Sequence, residues 1–234
     1  MMHESAVIMA AGLGERMRPL TEHTPKPLLK VKGVSMIETV IRGLRMRGVE
    51  EIYIVTGYLG EQFHQLKDKY SGLTMIENRE YLTKNNISSV HAACDVLGGS
   101  DVFICEADLY ISDPGIFITE LESSCYYGRM VKGYSDDWVF ETGQDGYITR
   151  VGKGGIDCFN MVGISYFTRK DALILRDAIN EAYGSPGHEQ MFWDEVVDRN
   201  LDRLRLKVHA VGREQIAELD TAAELESFEK GIVK

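Results

Sequence analysis

No apolar run in this chain approaches the length of a membrane-spanning helix. The first, Ala6–Ala11, holds six residues, too few even for a secretory leader, so a cytoplasmic protein without membrane contact is expected. Basic residues are in deficit: 26 Lys and Arg stand against 36 Asp and Glu, a net charge of −10 with a pI near 5.1. That argues against a nucleic-acid partner, whose phosphate backbone demands an extended basic face. Cys94, Cys105, Cys125 and Cys158 are irregularly spaced without a C-x-x-C pair, which speaks against a zinc clamp or disulfide frame and leaves buried thiols. Repeats, low-complexity tracts and linkers are lacking, so residues 1–234 are expected to fold as one α/β domain. His188-Glu189 lacks the second His of a zinc motif, and no His/Asp dyad stands out as a general base.

What the chain does have is concentrated in Ala6–Leu29, AVIMAAGLGERMRPLTEHTPKPLL. A buried parallel strand is expected at Ala6–Ala11. Gly12 and Gly14 follow, and glycines after a strand let backbone N–H groups approach phosphate oxygens. From Gly12 to Lys32, Arg16, Arg18, Lys26, Lys30 and Lys32 face only Glu15 and Glu22, a local balance of +3 suited to a polyphosphate. The loop is no Walker motif, because no Gly-Lys-Ser/Thr follows. Nor is it a dinucleotide fingerprint, since the third Gly is missing and Pro19 and Pro25 prevent a helix from starting there.

Downstream, Ser35 and Glu38 form an expected capping box for a helix reaching about Gly48. Strands are predicted at Glu51–Thr56, Leu73–Ile76 and Val102–Cys105, with helices at Glu61–Tyr70 and Ile87–Leu97 between them. Cys125–Val131, Trp138–Glu141, Tyr147–Val151 and Phe159–Phe167 read as four strands of an antiparallel extension. Helices at about Arg169–Tyr183 and Glu189–Arg199, a strand at Arg205–Ala210 and a helix capped by Thr221 and Glu224 complete the pattern.

The motif A-A-G-x-G-x-R with P-K-P beyond it resembles the signature of nucleotidyltransferases that join a nucleoside triphosphate to a phosphorylated small molecule. Sugar-1-phosphate nucleotidyltransferases and bacterial CTP:phosphocholine cytidylyltransferases share it. The resemblance implies a Rossmann-like three-layer α/β fold: a mixed, mainly parallel sheet, helices on both faces and a small antiparallel extension. It also implies Mg²⁺ as cofactor, CTP as donor, and a small zwitterionic phosphate or phosphonate as acceptor. By that resemblance Ala10, Ala11, Gly12 and Gly14 hold the nucleotide, with Lys26 and Arg16 stabilising transition-state charge. In the acidic motif Glu106-Ala107-Asp108, Asp108 becomes a metal ligand and Glu106 lines the nucleotide site. Asp194, in Trp193-Asp194, is expected as the second ligand, in preference to Asp220.

Asn85, Asn86 and Ser89 open a helix, where local chemistry favours capping; the resemblance assigns them, with Tyr58, to the pyrimidine nucleotide. For the acceptor, Trp138, Phe192 and Trp193 are expected to cage a cationic headgroup, with Glu218 as counter-charge and Lys132 on its phosphate. Tyr110 is a further aromatic candidate. The resulting expectation is transfer of CMP from CTP to phosphocholine. A 2-aminoethylphosphonate acceptor stands second, a sugar-1-phosphate third, and a nucleotide-binding regulatory subunit is the non-enzymatic alternative. A phosphate or phosphonate acceptor is already an anion, so the missing general base is consistent with this chemistry.

Overall fold

The computed structural model describes residues 3–231. Its centre is a seven-stranded sheet, built from β1 (Glu4–Ala10), β4 (Glu51–Thr56), β5 (Leu73–Glu77), β6 (Asp101–Glu106), β8 (Cys125–Thr142), β9 (Ile148–Phe167) and β10 (Lys207–Ala210). Their order across the sheet is β10-β8-β9-β6-β1-β4-β5. β6, β1, β4 and β5 are parallel; β9 runs antiparallel to both β6 and β8. Two small antiparallel ribbons, β2 (Lys30–Val31) with β3 (Val34–Ser35) and β7 (Leu109–Ile111) with β11 (Ile216–Glu218), complete the strands.

The apolar run of β1 follows from burial on both faces. Ala6, Ile8 and Ala10 join one core cluster with α1 (Met36–Arg47), while Val7 joins the opposite cluster with α2 (Ile87–Ala92), α3 (Arg169–Tyr183) and α4 (Trp193–Asp198). Three layers result. In register, Ala10 lies opposite Thr56 and Met9 opposite Glu106, so the carboxyl ends of β1, β4 and β6 open side by side. The chain's last described helix, α5 (Ala222–Glu229), is capped as expected: Glu224 N–H donates to Thr221 Oγ1 and Thr221 N–H to Glu224 Oε2. All four cysteines are buried and unbridged, and no helix among the described residues is long and apolar enough to cross a membrane.

Several predicted elements change form. Glu61–Tyr70 is a 3-10 run, Gly60–Asp68, because only Phe63 and Leu66, three residues apart, are buried there. The helix expected to reach Leu97 stops at Ala92 and gives way to a 3-10 turn at Cys94–Val96, and that expected from Glu189 begins only at Trp193. The four middle strands fuse into the long β8–β9 hairpin: the glycine-rich turn at 143–146 is its tip, whereas the interruptions at 132–137 and 152–157 are register shifts rather than turns. Ser35 does not cap the α1 backbone; its Oγ donates to Glu38 Oε2 at 2.7 Å.

One glycine tests the packing of the α1 layer. A Cβ at Gly43 would lie 2.5 Å from the fully buried Phe117 ring. Although Ala favours a helix over Gly by ~1 kcal/mol, the overpacking term should win. We expect Gly43→Ala to lower stability by about 1–3 kcal/mol in urea denaturation; an unchanged or raised midpoint would refute this.

Candidate active site

A crevice of about 600 Å³ opens over the carboxyl ends of β1 and β6, the place where open α/β sheets hold ligands. Its walls include Ala10, Ala11, Gly12, Gly14, Arg16, Lys26, Asn85, Asn86, Ser89, Glu106, Asp108 and Glu218, twelve residues singled out from the sequence, joined by Asp220. The loop after β1 is held from below. Gly14 is left-handed at φ 63°, and a Cβ there would come within 2.9 Å of the Lys26 side chain. Thr21 Oγ1 donates to Gly14 O at 2.8 Å, and Tyr58 donates its hydroxyl to the carbonyls of Thr21 and Glu22 at 3.0 and 3.1 Å. Tyr58 therefore braces the loop instead of lining the crevice. Gly12 has open space where a Cβ would project, leaving its backbone reachable by a ligand.

Lys26 is only 7% exposed, set in a 3-10 turn behind Pro25. Its ammonium donates to Asp108 Oδ2 at 2.6 Å and to Asp220 Oδ1 at 2.8 Å. Burial works against its charge, but Asp108 and then Asp220 outweigh this and hold its pKa above the ordinary lysine value. Arg16, more exposed, donates to the same Asp220 Oδ1 at 2.8 Å. Asp108, Glu218 and Asp220 present carboxylate oxygens within 4.8 Å of one another. Glu218 opens toward the crevice, yet the protein atoms crowded around it and the charges of Asp108 and Asp220 push its pKa up to about 8. Glu106 is raised as well, first by enclosure and then by Glu218 and Asp108. Crowded hard oxygen donors whose mutual repulsion a cation would relieve fit Mg²⁺.

The pairing expected for Asp194 is not what the fold builds. Asp194 is 3% exposed at the start of α4, accepts the Tyr126 hydroxyl at 2.9 Å, and does not line the crevice. The carboxylate beside Asp108 is Asp220, because β11 pairs with β7 directly after Asp108. Trp193 also leaves the acceptor set: it is 3% exposed and packs on Tyr126 and Phe167 at ring distances of 5.8 and 6.2 Å. Lys132 is exposed on the β8–β9 hairpin, away from the crevice walls, and Tyr110 packs on Phe228 instead. Trp138 and Phe192 do meet, edge to face at 5.3 Å.

Neither amide of Asn85-Asn86 caps α2. Asn86 Oδ1 accepts from Trp193 N–H at 3.0 Å and Asn85 Oδ1 from Asn86 N–H at 2.7 Å, tying the α2 start to the α4 start. Asn78, Tyr81 and Lys84 line the same wall without having been singled out. Asn78 sits one residue past β5 and donates to Ser88 and Ser89 at 2.9 and 3.2 Å. The strand-end rule that marks Asp108 would have found it.

Residues 6–125 match the MobA-like NTP transferase domain. The chain belongs to that family. Among curated relatives of this NTP transferase, the 2-aminoethylphosphonate cytidylyltransferase of Lancefieldella rimae is 53% identical over 98% of the chain and 93% of that protein. The choline-phosphate cytidylyltransferase of Streptococcus pneumoniae is 31% identical, covering 96% of each. Among solved structures, the CTP:phosphocholine cytidylyltransferase from Streptococcus pneumoniae superposes with a TM-score of 0.89 at 29% identity, covering 99% of this chain and 100% of that one. The inositol-1-phosphate CTP transferase from T. maritima (TM-score 0.75, 16% identity, 100% and 99% covered) shares the fold. The transferase thus has the three-layer nucleotidyltransferase fold, and the relatives that match it over nearly their whole length at 31% identity or more are named cytidylyltransferases.

Buried Asp194 also gives a pH prediction. Burial raises its pKa from 3.8 to about 7, against the Tyr126 hydrogen bond. Between those values the folded chain binds a proton the unfolded chain has lost, so stability falls as pH rises through the window, by at most ~4 kcal/mol. Asp194→Asn keeps the Tyr126 bond and should flatten that fall. Denaturation at pH 4.5 and 7.5 tests it; a variant with the parent's full pH slope would rule Asp194 out as its source.

Proposed function

We propose that this NTP transferase is a Mg²⁺-dependent cytidylyltransferase that joins CTP to 2-aminoethylphosphonate and releases pyrophosphate. The observation that carries the acceptor is the 53% identity, over nearly the whole chain, to a protein of that name, against 31% for the choline-phosphate enzymes. The site chemistry is compatible. A phosphonate oxygen attacks the α-phosphorus of CTP, the bond from that phosphorus to the α–β bridging oxygen breaks, and pyrophosphate leaves with the electron pair. The nucleophile needs no base, so the protein's work is alignment and charge stabilisation. Backbone N–H groups around Gly12 cradle the phosphates, and Lys26 with Arg16 balances negative charge gathering in the transition state. Asn78, Asn85 and Ser89 line the crevice and would read the pyrimidine edge. Asp108 with Asp220 and Glu218 would hold Mg²⁺, which neutralises phosphate charge when bound. Phosphocholine is the second reading, supported by the 31% identity to the choline-phosphate enzyme over 96% of the chain.

Pyrophosphate release with CTP and Mg²⁺, run in parallel with 2-aminoethylphosphonate, phosphocholine and glucose-1-phosphate, is the test. Turnover should be greatest with the phosphonate and vanish on chelation by EDTA; a clear preference for phosphocholine would overturn the acceptor assignment. Lys26→Ala should reduce kcat by about 10²–10³, the loss seen when one transition-state donor is removed. Wild-type kcat in that variant would remove Lys26 from the mechanism.

A further inference from the structure

β9 borders the crevice on the side of Glu106 away from the glycine loop: a Cβ on Gly163 would lie 2.8 Å from Glu106 Oε2. There β9 runs antiparallel to β6 with Ile164 opposite Cys105, so residues before Gly163 extend past the carboxyl end of β6. Asn160 lies on that extension and pairs across the hairpin with Val139, two residues from Asp137. It shares a face of β9 with Val162, whose core cluster includes Ile216, two residues before Glu218.

Asn160 is only 8% exposed. Its Nδ2 faces Asp137 Oδ2 at 3.5 Å, and its Oδ1 is buried without any hydrogen-bond partner. A buried amide oxygen left unpaired costs stability, so a retained one points to a ligand that supplies the missing donor. The neighbouring aromatic pair asks for no such donor. Lys153 Nζ already stands over Trp138 and Phe192, 5.9 and 5.3 Å from their ring centres. With that face used by the chain's own ammonium, an acceptor cation has to be read by oxygen atoms. A primary ammonium offers three N–H donors to them; a trimethylammonium offers none.

We propose that Asn160 Oδ1 and the Asp137 carboxylate form a subsite that accepts hydrogen bonds from the acceptor's primary ammonium and selects it over a quaternary one. This deepens the aminophosphonate reading and rests on it.

The test compares 2-aminoethylphosphonate with its N,N,N-trimethyl derivative, which changes the headgroup alone. Steady-state kinetics would be measured for the wild type, Asn160→Leu, Asn160→Asp and Asp137→Asn, with thermal melting to verify folding. In Asn160→Leu the preference for the primary amine should fall at least tenfold, through a higher KM and not a lower kcat. Asn160→Asp, which keeps an acceptor oxygen, should restore it, and the exposed Asp137→Asn should give a smaller fall in the same direction. An unchanged preference, or equal losses for both acceptors, would overturn the subsite. Failure of the underlying reading registers separately, as a wild type that prefers phosphocholine.

Discussion

The site depends on one buried ion. Lys26 sits in a position where an ammonium survives only with partners close by, and its two partners are Asp108 and Asp220. These three residues come from the first loop, the end of a central strand and the C-terminal ribbon. The Lys26 charge therefore joins segments that are otherwise far apart along the chain. Removing either acid would leave the lysine under-compensated, and removing the lysine would leave two acids in mutual repulsion. The same arrangement readies the site for ligands, since a triphosphate and a divalent cation could exchange partners with groups already held in place.

The sheet divides the proposed labour. Its parallel strands, β6, β1, β4 and β5, end together and present the glycine loop, Asn78 and Asp108. Beyond β6 the direction reverses, and the long β8–β9 hairpin offers a different surface of Asp137, Trp138 and Asn160. On the proposed reading, nucleotide chemistry falls on the regular side and acceptor recognition on the irregular side. Bulges in the hairpin alter its side chains' directions without disturbing the paired strands beneath.

What could be read from the sequence tracks how local each signal is. The buried run of β1, the glycine loop, Lys26 and Asp108 are legible because strand-then-loop chemistry is written in consecutive residues. The Thr221–Glu224 cap is legible for the same reason. Asp220 does not stand out over Asp194 in the sequence because the pairing of Glu218 with Leu109 across the β7–β11 ribbon leaves no mark in either local segment. Asp194 and Trp193 read as functional from a motif, whereas burial against Tyr126 makes them part of the core. The 3-10 run at Gly60–Asp68 reads as an ordinary helix in sequence because a three-residue spacing fits both periods. Asn160 is silent in sequence: its significance lies in an oxygen that the fold encloses and leaves unpaired.

The C-terminal ribbon has a consequence for biosynthesis. Leu219 packs with Met17, Val31 and Met36 beneath the first loop, and Asp220 beside it reaches Lys26 and Arg16. The central strands emerge from the ribosome well before these residues do. A nascent chain can thus assemble its sheet while its earliest loop still lacks the acid that orders it. Asp220 works as a clasp on a loop made long before it, so the order of that loop waits for the ribbon to emerge.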